Sequence, residues 1–221
     1  MKIISVHTPK VAGTSLLHAF KMAYGESAVL EDYADRPADP CAEYYLDPVG
    51  WLERRPTKID ESIKVVHGHF FPGKYDLIDL AFRTTFLRHP VDNVISIYFY
   101  WKKYIQSPAT GLYKYFLDQK LDIFELARLP LLRYLFSKTY FGGFDMERFD
   151  FVGCHERREE SYAQLSVLLG VQLDSSLCFN PTDSVVKSQE RLQLENDSLS
   201  VGKLKDILSE DIGFYEKYTI L

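Results

Sequence analysis

Two short motifs in the chain contain the residue types that bind phosphate, and the first lies near the N-terminus. It reads His7-Thr8-Pro9-Lys10-Val11-Ala12-Gly13-Thr14-Ser15. Between a strand and a helix, such a segment directs free backbone N–H groups and the positive end of the helix dipole at an anion. Gly13 would let the backbone approach that anion closely. Thr14 and Ser15 would donate from their hydroxyl groups, and Lys10 would add a cation.

The position of Lys10 separates this motif from the Walker A loop of nucleoside triphosphatases. In a Walker A loop the lysine directly follows the last glycine, whereas Lys10 precedes Gly13 by three residues and Thr14 follows it. No obvious magnesium-binding aspartate accompanies the motif. The pattern therefore favours chemistry other than that of ATP and magnesium. Taken alone, it is equally typical of a helix that Ser or Thr caps after a strand.

The second motif, residues 84–98, predicts another strand-to-helix junction, with Pro90 at the first helical position. Arg88 would lie at the carboxyl end of the strand, where ligands of parallel sheets bind. Ser96 would lie on the polar side of the helix. An arginine can hold a phosphate through two N–H groups, and a serine hydroxyl adds one hydrogen bond. Taken alone, a local salt bridge of Arg88 and an ordinary helical serine are the better explanation.

A third motif, Val66-His67-Gly68-His69, follows another predicted strand. Histidine titrates near neutral pH, so it suits a general base that takes the proton of an attacking hydroxyl. We expect His67 or His69 to be that base, with a slight preference for His67, and we regard His7 and His89 as lesser candidates. Each histidine taken singly is more often structural. No third ligand lies near enough in sequence to predict a metal site.

Strands that alternate with helices must position these motifs. Apolar runs predict strands at residues 2–8, 63–67, 83–88 and 149–153, with helices at about 13–24, from Pro90 onward, at 111–140 with a break near Pro130, at 157–169, and at the end of the chain. Residues 26–62 predict a long surface excursion, and residues 171–200 are rich in loop formers. This alternation predicts one α/β domain over residues 1–221, with a P-loop-like central parallel sheet and helices on both faces.

Composition limits the class of protein. A length of 221 residues suits one domain, and 46% hydrophobic with 26% charged residues is ordinary for a globular chain. The net charge of −5 argues against a general nucleic-acid binder but permits a local basic pocket. Cys41, Cys154 and Cys178 form no CxxC pair, which argues against zinc and disulfides. Without an apolar span or a signal peptide, a cytoplasmic protein is expected.

Together the two phosphate motifs resemble those of the PAPS-dependent sulfotransferases, where PAPS is 3′-phosphoadenosine-5′-phosphosulfate. The shared patterns are Pro-Lys-x-x-Gly-Thr-Ser and Leu-Arg-x-Pro-x-x-x-x-x-Ser-x-Tyr, and the His-Gly-His segment looks like that of the heparan sulfate 2-O-sulfotransferase branch. Weaker similarity covers residues 151–161 and 210–215. The resemblance implies a phosphosulfate-binding loop made of Lys10, Val11, Ala12, Gly13, Thr14 and Ser15, and a 3′-phosphate clamp made of Arg88 and Ser96.

The resemblance also implies the reaction. A sulfuryl group would pass in line from PAPS to an acceptor hydroxyl, with a saccharide as the first choice and PAP as the product. Lys10 would stabilise the leaving phosphate, so no metal is required. Alcohols of lipids, polyketides or small metabolites stay open as acceptors, as do two other readings: a P-loop nucleotide or small-molecule kinase, and a non-catalytic nucleotide-binding relative. Aromatic side chains that could stack on a sugar or pack within helices are Tyr98, Tyr100, Trp101 and Tyr104.

Overall fold

Five parallel strands form the centre of the fold in a computed structural model that describes residues 1–103, 111–176 and 188–219. The strands are β1 (Lys2–Val6), β2 (Val29–Asp32), β3 (Val65–Gly68), β4 (Ala81–Leu87) and β5 (Phe151–Cys154). Their order across the sheet is β2-β3-β1-β4-β5, and each neighbouring pair is parallel. Because β1 lies between β3 and β4, the segments that follow these three strands emerge side by side. The predicted α/β architecture with a central parallel sheet is confirmed.

Helices cover both faces of the sheet. They are α1 (Gly13–Tyr24), α2 (Glu43–Leu46), α3 (Pro48–Glu53), α4 (Pro90–Lys103), α5 (Gly111–Gln119), α6 (Ile123–Arg128), α7 (Pro130–Arg133), α8 (Arg158–Leu169), α9 (Gln189–Asn196), α10 (Ser198–Ile207) and α11 (Ser209–Thr219). A π-helical segment, Leu135–Tyr140, follows α7. Short 3₁₀ turns occur at Glu26–Ala28, Pro72–Tyr75, Met146–Arg148 and His155–Arg157.

The side chains of β1 show why the sheet is covered twice. Successive residues of a strand point to opposite faces, and both Ile3 and Ile4 are buried. Ile3 packs in a cluster with Phe20 of α1 and Leu165 of α8. Ile4 packs in a second cluster that includes Leu126 of α6 and the π-helical segment. A strand that is apolar on both faces is typical of a parallel sheet between two helical layers.

The structure differs from the sequence-based prediction in three regions. Strand β2 lies within the predicted surface excursion. The sequence does not predict this strand, because only two of its four residues are apolar and so short a pattern carries little signal. The helical region predicted over 111–140 has its expected break near Pro130, between α6 and α7, but it is also interrupted after α5 and ends in the π-helical segment. Helix α9 begins at Gln189, inside the stretch predicted as loop.

Tyr104 and Cys178 lie outside the described residues. Cys41 is exposed, Cys154 is buried, and neither forms a disulfide within the described part of the chain. Within the same residues, every helix is too short or too polar to cross a bilayer.

Candidate functional site

One cavity of about 460 Å³ lies at the carboxyl ends of the strands. The segments that follow all five strands contribute to its lining, as expected for a ligand site in a parallel α/β sheet. The polar lining residues are His7, Lys10, Thr14, Ser15, Arg36, Asp39, His69, Arg88, Ser96, His155 and Arg158. The structure therefore brings the two predicted phosphate motifs to one cavity, although they are about 70 residues apart in sequence.

The loop between β1 and α1 has an unusual backbone. Lys10 and Ala12 have positive φ angles, 61° and 64°, although neither is glycine. This conformation costs about 1–2 kcal/mol for a residue with a side chain. Residues of this kind, next to right-handed ones, turn successive N–H groups inward and create an anion-binding concavity. The loop is therefore suited to hold a phosphate-like group at the N-terminus of α1.

The structure shows a reason for glycine at position 13 that the sequence did not reveal. It lines the cavity, but a Cβ atom at this position would lie 1.9 Å from Nε2 of His7. The imidazole of His7 occupies the space of the missing side chain. Glycine at this position thus allows a histidine to pack on the loop, in addition to any close contact with a ligand.

Polar side chains from the β4–α4 junction hold the loop in place. Arg88 donates from Nη1 to the carbonyl oxygen of Lys10 at 3.0 Å, and Asn93 donates from Nδ2 to that of Pro9 at 2.7 Å. In the other direction, the Thr8 hydroxyl donates to a β4 carbonyl at 3.1 Å. The two motifs are therefore one structural unit. Sequence reasoning missed Asn93; the available signal was a polar residue among the buried positions of α4.

The other predicted donor-binding residues are placed as follows. Ser96 lines the cavity from α4 and is 2% exposed. Lys10 extends along the cavity wall, with Nζ 4.1 Å from the ring centroid of Tyr100, a cation–π distance. The side chain of Val11 points away into the core, so only its backbone N–H can serve a ligand. Ala12 lines the cavity.

The cavity concentrates positive charge in an acidic protein. Four cationic side chains line it, Lys10, Arg36, Arg88 and Arg158, against one carboxylate, Asp39, an excess of three charges. The whole chain carries −5. Neither Arg36 nor Arg158 was predicted as a site residue, because β2 was not recognised and the weaker similarity over residues 151–161 gave Arg158 no role. A small polyanion is the ligand that such a lining attracts.

His69 is the predicted base that reaches the cavity. Its Nδ1 contacts the carbonyl oxygen of His7. Because a carbonyl oxygen can only accept, Nδ1 carries the proton and the lone pair lies on Nε2. Burial, partly offset by this hydrogen bond, lowers the pKa of His69 to about 4, and the charge of Arg36 contributes in the same direction. The ring is therefore neutral at neutral pH, and the lone pair on Nε2 is the position that can take a proton.

His67, the slightly preferred candidate base, does not line the cavity, whereas His69 does. His67 is fully buried within β3, with Nδ1 2.9 Å from the Ser5 hydroxyl and its ring 6.0 Å from that of Phe20. Burial, followed by the nearby His69, lowers the pKa of His67 to about 3. The reason is position along the strand: His67 lies inside β3 beneath α1, whereas His69 follows the last residue of β3.

The two lesser candidates for the base, His7 and His89, differ in whether they line the cavity. His7 lines the cavity and stacks between His67 and His69, at centroid distances of 5.1 and 4.3 Å. Burial, then the neighbouring histidines and Lys10, hold the pKa of His7 well below its ordinary value. His89 does not line this cavity, and its ring packs against Tyr215. No group of three His, Cys, Asp or Glu side chains suited to a metal occurs among the described residues.

A group of largely apolar side chains, which we call the apolar wall, also lines the cavity. It is made of side chains from α4, α5, α7 and the π-helical segment, namely Ile97, Trp101, Leu112, Tyr113, Leu132 and Tyr140. Tyr98, which the sequence offered as a stacking residue, packs against Phe116 instead. The cavity is thus lined by charged and by apolar side chains, and His69 and Tyr140, one from each group, are in contact.

Comparisons with known proteins identify sulfotransferases among distant structural neighbours. The chain matches no protein-family model, and no curated protein matches its sequence. A sulfotransferase from Alicyclobacillus acidocaldarius is similar at 15% identity and a TM-score of 0.44, covering 97% of this chain and 98% of that one. Mouse sulfotransferase SULT7A1 complexed with PAP is similar at 13% identity and 0.43, covering 97% and 81%. At this distance no function can be transferred, so function must be inferred from the side chains of the site.

Proposed function

We propose that the protein transfers a sulfuryl group from PAPS to a hydroxyl group of an acceptor. The observation that carries this proposal is the joined unit of loop and clamp. Arg88 holds the Lys10 carbonyl, while both residues and Ser96 line the cavity that His69 also lines. The donor has two separated anionic groups, the phosphosulfate and the 3′-phosphate. A cationic loop beside an arginine–serine pair matches that arrangement.

Different residues would bind the two anionic groups of PAPS. Lys10, the hydroxyl groups of Thr14 and Ser15, and the loop N–H groups from Val11 through Gly13 would hold the phosphosulfate. Arg88 and Ser96 would hold the 3′-phosphate, and the positive charges of Arg36 and Arg158 would add attraction for the whole anion. None of these roles calls for a metal ion, because the side chains supply the positive charge that magnesium supplies in kinases.

The reaction would proceed in one displacement. The acceptor hydroxyl would give its proton to Nε2 of His69 while its oxygen forms a bond to sulfur. The bond between sulfur and the bridging oxygen of the 5′-phosphate breaks, and the electron pair stays on the departing phosphate. Lys10 and the loop N–H groups would stabilise that charge as it develops. The products are a sulfate ester and PAP.

A saccharide is the proposed acceptor, on the strength of the sequence resemblance. Two aromatic side chains of the apolar wall, Trp101 and Tyr113, offer faces on which a sugar ring could stack. The same faces would also accept a phenol or an apolar alcohol. The acceptor test below therefore includes both classes.

A transfer assay with labelled PAPS and a pooled acceptor library tests the function. Saccharides, phenols and aliphatic alcohols form separate pools, and transfer of label into any pool supports the proposal. His69→Ala should abolish transfer while calorimetry still detects PAP binding. Failure of PAP to bind would refute the donor assignment. A thermal shift caused by ATP with magnesium but not by PAP would favour a kinase instead.

A further inference from the structure

The π-helical segment Leu135–Tyr140 delivers one side chain to the proposed base. Tyr140, its last residue, is 2% exposed, and its Oη lies 3.1 Å from Nδ1 of His69. The Nδ1 proton of His69 points at the His7 carbonyl, so the Tyr140 oxygen is a second partner on the same side of the ring. π-Helical turns are rare and occur frequently at functional sites. This one forms part of the cavity wall.

A buried carboxylate of the last helix holds the beginning of that segment. Asp211 of α11 is 1% exposed. Its Oδ2 accepts from the backbone N–H of Phe136 and its Oδ1 from that of Ser137, both at 2.9 Å. The first N–H groups of a helical segment have no partner within the segment, so Asp211 acts as a two-oxygen cap supplied from 75 residues away.

A gain in stability does not by itself explain why a carboxylate is buried at position 211. Burial raises the pKa of Asp211, although the two backbone N–H groups counteract the shift. A buried ionised group loses its hydration and is tolerated only where specific hydrogen bonds replace it. What the arrangement adds is orientation, because two oxygen atoms that meet two consecutive N–H groups fix both the position and the direction of the segment.

We propose that Asp211 and Tyr140 are positioning residues for His69: Asp211 orients the π-helical segment, the segment places Tyr140, and Tyr140 restrains the imidazole so that Nε2 faces the cavity. The catalytic consequence rests on the proposed function, whereas the restraint on the ring does not. His7, Tyr33 and Arg36 also face this ring. The His7 carbonyl determines which nitrogen is protonated, and Tyr140 limits rotation about that single hydrogen bond.

Three variants and one control test the proposed path from Asp211 through Tyr140 to His69. Tyr140→Phe removes the hydroxyl and keeps the ring, Asp211→Asn removes one of the two acceptor oxygens, and the third variant combines them. Glu210→Gln is the matched control. Glu210 neighbours Asp211 and also links α11 to the segment, through an ion pair of 3.2 Å with Lys138, but both side chains are about half exposed. Such a surface pair contributes little, so this control should behave as the wild type.

Two measurements separate positioning from general damage. The Hδ1 proton of His69, observed by NMR in histidine-labelled protein, should exchange with water about tenfold faster in each single variant, since one hydrogen bond has been lost. The kcat of sulfuryl transfer should fall about tenfold with an unchanged KM for PAPS. The double variant should be no worse than the more impaired single variant, because both changes act on one path.

Additive losses in the double variant would overturn the path from Asp211 through Tyr140. An unchanged Hδ1 signal in Tyr140→Phe would overturn its last step, even if Asp211→Asn does not fold. If the wild-type protein transfers no sulfuryl group, the NMR exchange rates still decide the restraint on His69, and only the proposed function is lost.

Discussion

The guanidinium of Arg88 donates a hydrogen bond to the carbonyl oxygen of Lys10 at 3.0 Å. This bond connects the carboxyl end of β4 to the loop after β1, and it fixes a loop residue with a positive φ angle. Under the proposed function, Arg88 would both bind the donor and shape the loop that binds the rest of the donor. Substitution of Lys10 should mainly lower turnover, whereas substitution of Arg88 should mainly lower the affinity for the donor.

Replacing Lys10 should mainly reduce turnover. Lys10→Ala removes the cation proposed to stabilise the leaving phosphate, and loss of one such donor lowers kcat roughly a hundredfold or more. Single-turnover transfer from labelled PAPS measures the effect. Lys114→Ala is the control, since that lysine forms an exposed ion pair with Asp118 on α5. Near-normal turnover of Lys10→Ala would remove Lys10 from the mechanism.

Replacing Arg88 should mainly reduce donor affinity. Arg88→Ala removes a charged hydrogen-bonding group, and the affinity for PAP should fall by about ten- to a hundredfold. Arg88→Lys keeps the charge but loses the planar fork, so it should recover only part of the affinity. Isothermal titration with PAP measures both, with the exposed Arg128→Ala on α6 as control. An unchanged affinity in Arg88→Ala would refute the clamp.

Gly13→Ala should destabilise the fold through His7. The new methyl group would overlap an imidazole that is already stacked between two others, and such overpacking costs about 1–3 kcal/mol. Urea unfolding measures the loss. In a His7→Ala background the overlap disappears, so the same substitution should be nearly neutral. Equal losses in both backgrounds would show that backbone conformation, and not the ring of His7, requires glycine.

The stacked histidines should make stability depend on pH. Burial lowers the folded pKa of His69 to about 4 and that of His67 to about 3, while an unfolded histidine titrates near 6.5. Below about pH 6.5 the unfolded chain binds protons that the folded chain does not, so stability falls as the pH drops from 6.5 through 4.

For His69 alone the loss between pH 7.5 and pH 5 is on the order of 2 kcal/mol. Urea unfolding of the wild type and of His69→Gln at both values measures it. The variant lacks this titration and should lose less stability on acidification than the wild type. Parallel losses in the two proteins would contradict the depressed pKa of His69.

Local patterns were enough to predict the phosphate motifs and the alternation of elements. A strand followed by Lys10 to Ser15 and a helix, and a second strand followed by Arg88 and Pro90, are readable because turn and cap preferences act over a few residues. Strand β2 escaped recognition for the same reason, since four residues with two apolar positions carry too little local signal. Because β2 was not recognised, Arg36, which follows that strand and lines the cavity, was not predicted either.

From local patterns alone the chain could be predicted to have two strand-to-helix junctions suited to phosphate, and two histidines at the end of another strand of the same parallel sheet. Which histidine lines the cavity depends on packing, because α1 covers His67 within β3, whereas His69 lies beyond the end of that strand. The tertiary structure also decided that Arg158 joins the cationic lining and that Asp211 supports Tyr140. These relations join residues that are distant along the chain, and packing of the whole chain is what brings them together.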